Sequence, residues 1–284
     1  MEQLEVPVTG GSLALFRLSS AGPPVLAVHG ITSSSRTWLA VARALGNSCS
    51  LLAPDLRGRA ASRALPGPYG VAAYVRDMLA VLDALDIERS LLVGHSLGAY
   101  VVAQLAADHP QRARGVVLVD GGLTIPGSEE VEPQTFIDDF LGPALARLRL
   151  QFPSRETYRE WWQAHPAIAS ATDVSADDLA EYADHDLAGD RPSASEEAVR
   201  ADAEELLVAA AAAHRLAVPA TLLCAPRGLV NEPNPMQPLE LVRAWAAEAP
   251  TERTALQVPD TNHYTIVLGA AGAEAVARAI TTRL

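Results

Sequence analysis

An α/β fold, with a mostly parallel central sheet flanked by helices and interrupted by a helical insertion, is what this 284-residue sequence predicts. Three observations carry the expectation. Short apolar runs alternate with amphipathic stretches, the pattern of repeated βα units. That alternation stops between about 125 and 215, where acidic residues and helix starts take over. At the centre, "LLVGHSLGAY" (91–100) sets a serine between two glycines, after an apolar run and before a helix-forming one.

In chain order, "LEVPVTGGSLALFRL" reads as a hairpin turning at Gly10-Gly11. "PVLAVHG" (24–30), "SLLAPD" (50–55), "SLLVGH" (90–95), "GVVLVD" (115–120) and "PATLLCA" (219–225) read as core strands, apolar throughout because parallel strands are covered on both faces. Helical apolar spacing recurs in 37–45, 71–85 and 97–109, the last ended by Pro110, and again in 239–249 and 272–284. Residues 1–124 and 216–284 then form the core domain, and 125–215 the insertion. Helix starts in that insertion are marked by "SRET" at 154, "SADD" at 175 and "SASEE" at 193, each a serine with acids in the following turn.

Composition removes several function classes. The net charge is −12, and residues 125–215 hold 19 acidic against 7 basic residues, so the remainder is balanced. A nucleic-acid partner needs a basic stripe and is not expected. All 22 basic residues are arginine, which removes Schiff-base lysine chemistry and the P-loop lysine. No run of eighteen apolar residues exists and the N-terminal stretch has no basic-then-apolar leader, so a cytoplasmic protein without a membrane partner is expected. Cys49 and Cys224 sit in or beside apolar stretches and read as buried thiols, and no zinc-type spacing occurs. Neither monomer nor homodimer is favoured.

A serine hydroxyl becomes a nucleophile when it is exposed, has a general base and faces donors for the oxyanion. A tight strand-to-helix turn supplies the exposure, with Gly94 and Gly98 at the positions where a Cβ would clash. The helix that follows aims its free N–H groups at Ser96, so the Leu97 N–H is one oxyanion donor.

With "AVHGITSSSRTW" placing His29-Gly30 at the exit of an early strand, the sequence resembles the α/β-hydrolase family over nearly its whole length, in a serine-nucleophile, capped, carboxylesterase- or lactonase-like branch. The resemblance implies that the Ile31 N–H completes the oxyanion hole and that no cofactor is used. "APDLRGRAAS" (53–62) looks like the family's Asp-x-Arg-Gly loop, with Ala60 where a glycine is usual. His263 in "VPDTNHYTIVLG" lies in a late loop before the terminal helix, where the family puts its base. The acid has two candidates: Asp120, at the end of the strand after the nucleophile's helix, and Glu232, one or two residues late after the strand "ATLLCA". The resemblance makes the insertion a lid, with His29, Tyr158, Trp161, Trp162 and Tyr182 as candidate substrate contacts. An acidic lid facing the mouth would disfavour anionic substrates.

These residues point to a serine hydrolase acting through an acyl-enzyme on an ester, lactone or thioester of a small to medium, largely apolar molecule. Two alternatives stay open: cofactor-free lyase or perhydrolase chemistry on the same scaffold, and ligand binding without turnover.

Overall fold

A computed structural model describes residues 1–284 apart from 129, 207–208 and 249–250. Its centre is an eight-stranded sheet. An antiparallel hairpin, β1 (Glu2–Val8) and β2 (Gly11–Arg17), opens the chain; its two-residue turn is Thr9-Gly10, one residue earlier than the glycine pair suggests, because Gly11 already pairs with Val8. The other strands are β3 (Pro24–Val28), β4 (Ser50–Pro54), β5 (Ser90–His95), β6 (Ala113–Val119), β9 (Ala220–Cys224) and β10 (Arg253–Gln257). The order across the sheet is β1-β2-β4-β3-β5-β6-β9-β10. From β4 to β10 every neighbouring pair is parallel. The five apolar runs are thus all strands of one sheet. β10, "RTALQ", was not among them: it is an edge strand, and it lacks the two-sided apolar signal.

Side chains along the inner strands alternate between the two faces with period two. Leu26, Val28 and Leu92 join the layer containing α2 (Val71–Ala84) and α3 (Leu97–Asp108). Val25, Ala27, Leu91 and Val93 face the layer containing α1 (Leu39–Leu45) and α11 (Ala270–Arg283). Cys49 and Cys224 are buried thiols, and burial pushes Cys49 up to about 11 and Cys224 up to about 12.

Between β6 and β9 the chain runs through α4 (Pro133–Arg149), α5 (Arg155–Gln163), α6 (Ala176–Asp186), the two-residue strands β7 (Leu187–Ala188) and β8 (Arg191–Pro192), α7 (Glu196–Leu206) and α8 (Ala211–His214). Ser154 caps α5 by accepting from Thr157 N, and Ser175 caps α6 by accepting from Asp178 N. In "SASEE" the cap is Ser195, which accepts from Ala198 N; Ser193 instead donates to Asp186 and accepts from Ala60 N. Three of the segment's acids dock it onto the core. Glu181, Asp178 and Asp202 pair with the core arginines Arg36, Arg43 and Arg59. The helix expected over 239–249 is α9 (Leu239–Ala247), its predicted last residue lying outside the described ones. The short α10 (Thr265–Leu268) precedes α11. Among the described residues no helix is long and apolar enough to cross a membrane.

The direction of travel across the sheet decides where a site forms. β3 lies between β4 and β5, so the chain leaves its carboxyl end toward one edge and later returns on the other side. The crevice at such a reversal is where ligands bind in open α/β sheets. Gly30 and Ile31 follow β3 there, and Ser96 follows β5.

Candidate active site

Ser96 occupies a backbone conformation that side-chain-bearing residues rarely adopt, with φ 54° and ψ −123°. The turn that holds it is close-packed. A Cβ on Gly94 would stand 2.1 Å from the Gly98 carbonyl oxygen, and one on Gly98 would stand 2.0 Å from that of Val28. No rotamer relieves a clash with backbone, so both positions require glycine. Ser96 N donates to Val119 O at 3.0 Å, which ties the elbow to the end of β6.

Asp120 follows that strand end at φ 46°. Its Oδ2 accepts from His263 Nδ1 at 2.7 Å and its Oδ1 from Ala225 N at 3.0 Å. The carboxylate is fully buried, and Gly121 brings it close to the elbow, since a Cβ there would lie 2.6 Å from Ser96 O. Glu232 is elsewhere. Its carboxylate accepts from Leu229 N and Val230 N, 3.1 and 2.8 Å away, and closes its own turn. Of the two candidate acids, the one beside His263 is Asp120.

The loop carrying His263 is held by residues that the sequence did not single out. Asn262 Oδ1 accepts from Tyr264 N and Thr265 N, both at 2.9 Å, while its Nδ2 donates to Ala167 O of the inserted segment at 2.8 Å. His95 donates from Nε2 to His263 O at 2.9 Å, which leaves its buried Nδ1 without a partner among the described residues. The Asn-x-x-Thr spacing of 262–265 is a local capping signal; the His95 contact spans 168 positions and has no signal in the sequence.

Across the crevice, the Gly30–Ile31 peptide is fixed by its carbonyl. Gly30 O accepts from His29 Nδ1 at 2.8 Å and from Ser33 N at 3.2 Å. Leu56 N donates to His29 Nε2 at 2.9 Å, so the ring's proton must sit on Nδ1. With the carbonyl held on one side, the Ile31 N–H points to the other. Neither it nor the Leu97 N–H finds an acceptor among the described residues.

Ser96, His95, His263 and Ile31 line one cavity of about 30 Å³, walled by Phe140 and Leu141 of α4. Phe140, Ala144, Leu229 and Tyr264 also line a second cavity of about 320 Å³, where Arg147, Trp161 and His165 lie. Most of the expected substrate contacts are not there. His29 is fully buried with both ring nitrogens engaged, so it serves the loop and touches neither cavity. Tyr158, Trp162 and Tyr182 are core packing, Tyr158 bonded to Asp186 at 2.5 Å and Tyr182 to Ser33 at 3.3 Å. Trp161 alone of the four aromatics borders the larger cavity. Ala60, at the family's glycine position, has φ 41°, the left-handed region that explains the usual glycine.

The buried imidazoles carry a stability prediction. Burial pushes His29 down to about 4 against the pull of Asp55, and burial with Arg147 does the same to His165. His95 is held well below its ordinary value, by burial and then by His263. In the unfolded chain each titrates near 6.5, so unfolding takes up protons between about pH 6.5 and 4. The stability from neutral burial is complete above pH 6.5 and is lost as pH falls toward 4. Each proton taken up lowers stability by about 1.4 kcal/mol per pH unit, and partly exposed His165 contributes least. Urea unfolding at pH 7.5 and pH 5 reads this directly; an unchanged midpoint would contradict it.

Comparison with known proteins agrees with this architecture. The family described as alpha/beta hydrolase fold matches residues 23–266. A lipase of Mycobacterium tuberculosis is 35% identical over 139 residues, 48% of this chain and 52% of the lipase. The 2-hydroxymuconate semialdehyde hydrolase of Pseudomonas sp. strain CF600 is 34% identical over 119 residues, 40% of this chain and 42% of that protein. An uncharacterized Mycobacterium tuberculosis protein is 40% identical over 119 residues, 42% of this chain and 35% of its own length. The aligned stretches thus span about a third to a half of these relatives. Among solved structures, E-2-(acetamidomethylene)succinate hydrolase superposes with a TM-score of 0.79 at 21% identity, covering 99% of this chain and 98% of that one. The thioesterase domain from the curacin biosynthetic pathway gives 0.73 at 22%, with 99% of both chains covered.

Proposed function

The chain belongs to the α/β hydrolase fold family, and from that premise we propose that it is a serine hydrolase cleaving an ester-like bond through an acyl-enzyme. One observation carries the reading. His263 is paired through Nδ1 with the buried carboxylate of Asp120, and its ring lines the same small cavity as Ser96.

In this mechanism Asp120 holds the proton of His263 on Nδ1, which leaves Nε2 as the base. Ser96 Oγ attacks the carbonyl carbon as its proton passes to Nε2, and the carbonyl electrons move to oxygen. The Ile31 and Leu97 N–H groups hold that oxyanion, stabilising charge that exists only after attack. The tetrahedral adduct collapses, the leaving group takes the proton from His263, and an acyl ester on Ser96 remains. Water then repeats the sequence, giving the carboxylic acid and free Ser96. The second cavity, walled by Phe140, Pro143, Ala144, Trp161 and Leu229, suits an apolar portion of the substrate. The helices α4 and α7, which place Phe140 and Leu206 over Ser96, act as the lid in this reading.

The relatives' names, a lipase and a semialdehyde hydrolase among them, support hydrolysis and leave the bond cleaved to experiment. Purified protein is expected to hydrolyse chromogenic short-chain acyl esters and to take up one fluorophosphonate on Ser96, read by peptide mass spectrometry. A folded protein showing neither turnover nor labelling would refute the assignment.

A further inference from the structure

The loop that carries the proposed oxyanion donor is gripped by two buried arginines. Arg59 donates from Nε to Ile31 O at 3.0 Å, and Arg147 donates from Nη2 to the next carbonyl, Thr32 O, at 3.1 Å. Arg59 belongs to the core and Arg147 to α4. Their side chains are 0% and 2% exposed. Each has its charge met by an acid of the inserted segment. Arg59 pairs with Asp202 of α7, which also accepts from Tyr74 OH at 2.7 Å and Gly70 N at 2.9 Å. Arg147 pairs with Asp186 at the end of α6 at 2.6 Å, and Tyr158 OH donates to the same oxygen at 2.5 Å.

Burying an arginine–carboxylate pair is a poor way to gain stability, because desolvation cancels most of the attraction. Two such pairs converge here on adjacent carbonyls of one short loop. A guanidinium is suited to that duty: its planar fork meets a carboxylate with one arm and a carbonyl with another. His29 orients the Gly30–Ile31 peptide, and the following two peptide units are fixed by Arg59 from the core and by Arg147 from the insertion.

We propose that Arg59 and Arg147 are positioning residues that aim the Ile31 N–H at the oxyanion through the Ile31 and Thr32 carbonyls, and that Asp202 and Asp186 make this aim depend on docking of the inserted helices. The inference rests on the serine-hydrolase reading. It adds that the segment above the site completes the oxyanion hole as well as covering it.

Two variants test it while leaving no buried charge unpaired. Arg147→Lys keeps a cation for Asp186 but lacks the second arm that reaches Thr32 O. The double variant Arg59→Met/Asp202→Leu removes a whole pair at a place that borders neither cavity. Each is expected to lower kcat about 10- to 100-fold, the range for a displaced catalytic group, with KM changed less than about threefold in the double variant, whose residues border neither cavity. Inhibition by an aliphatic trifluoromethyl ketone, whose adduct oxygen occupies the oxyanion position, is expected to weaken by the same factor as kcat. Wild-type kcat and ketone affinity in folded variants would overturn the proposal, and so would a change confined to KM or to the thermal midpoint. Unfolding of both variants would also overturn it, by assigning the pairs to folding alone. Failure of the underlying reading is distinct, because it appears in the wild type as absence of turnover and labelling.

Discussion

Ser96→Ala is expected to lower ester turnover by about 10⁴- to 10⁶-fold, with KM little changed. The hydroxyl supplies the covalent route; the other hydroxyls lining the cavity, on Thr32, Ser33, Thr37 and Tyr264, do not stand on the tight turn between β5 and α3. What survives is attack by water assisted by His263 and the two N–H donors. Alanine keeps the Cβ and therefore the packing of a turn whose tightness comes from Gly94 and Gly98. Circular dichroism should match wild type. Loss of the fluorophosphonate adduct in the same variant ties the rate to the residue. A fall of less than about tenfold would show that Ser96 is not the nucleophile.

Asp120→Asn carries the second-largest expected effect, about 10⁴-fold in kcat. An asparagine in this place keeps Ala225 N satisfied through its oxygen. Its amide then presents N–H groups to His263 Nδ1, which must accept, so the ring proton moves to Nε2. That is the wrong tautomer for a base facing Ser96. Glu232→Gln is the matched control: its carboxylate closes the Leu229–Val230 turn and the residue borders the second cavity, not His263, so less than about a threefold loss in kcat is expected, with any larger change confined to KM. Kinetics of both variants on one ester separate the candidates. A larger loss at Glu232 than at Asp120 would reverse the assignment.

Fold and site were legible in the sequence to different degrees, for physical reasons. Inner strands such as β3 and β5 are covered on both faces and appear as unbroken apolar runs. β10 lies at the edge, with Leu256 41% exposed, and "RTALQ" has no run to see. The elbow was legible because its geometry allows only glycine at 94 and 98, a demand written directly into the chain. The acid was ambiguous because a carboxylate at a strand end looks the same whether it turns toward a histidine or back onto its own turn. Gly121, pressed against Ser96 O, is the tertiary fact that separates them. The aromatics of α5 show the limit of periodicity. Trp161 and Trp162 are neighbours about 100° apart on one helix, and one borders a cavity while the other packs the core. Arg59 and Arg147 left no trace, since an arginine in a sequence reads as surface until its carboxylate is found 143 or 39 positions away.

The cavity at Ser96, about 30 Å³, has a kinetic meaning. It has room for about one or two water molecules, so on the serine-hydrolase reading an acyl group is expected to need Phe140 and Leu141 to withdraw before it reaches Ser96. Both residues sit on α4, the helix that also carries Arg147. On that reading, admission of substrate and release of the Thr32 carbonyl would be movements of one helix, and re-closing would restore both the cover and the aim. Acylation is then expected to be gated. Its observed rate should level off with substrate concentration at the opening rate of α4, and should slow as solvent viscosity rises.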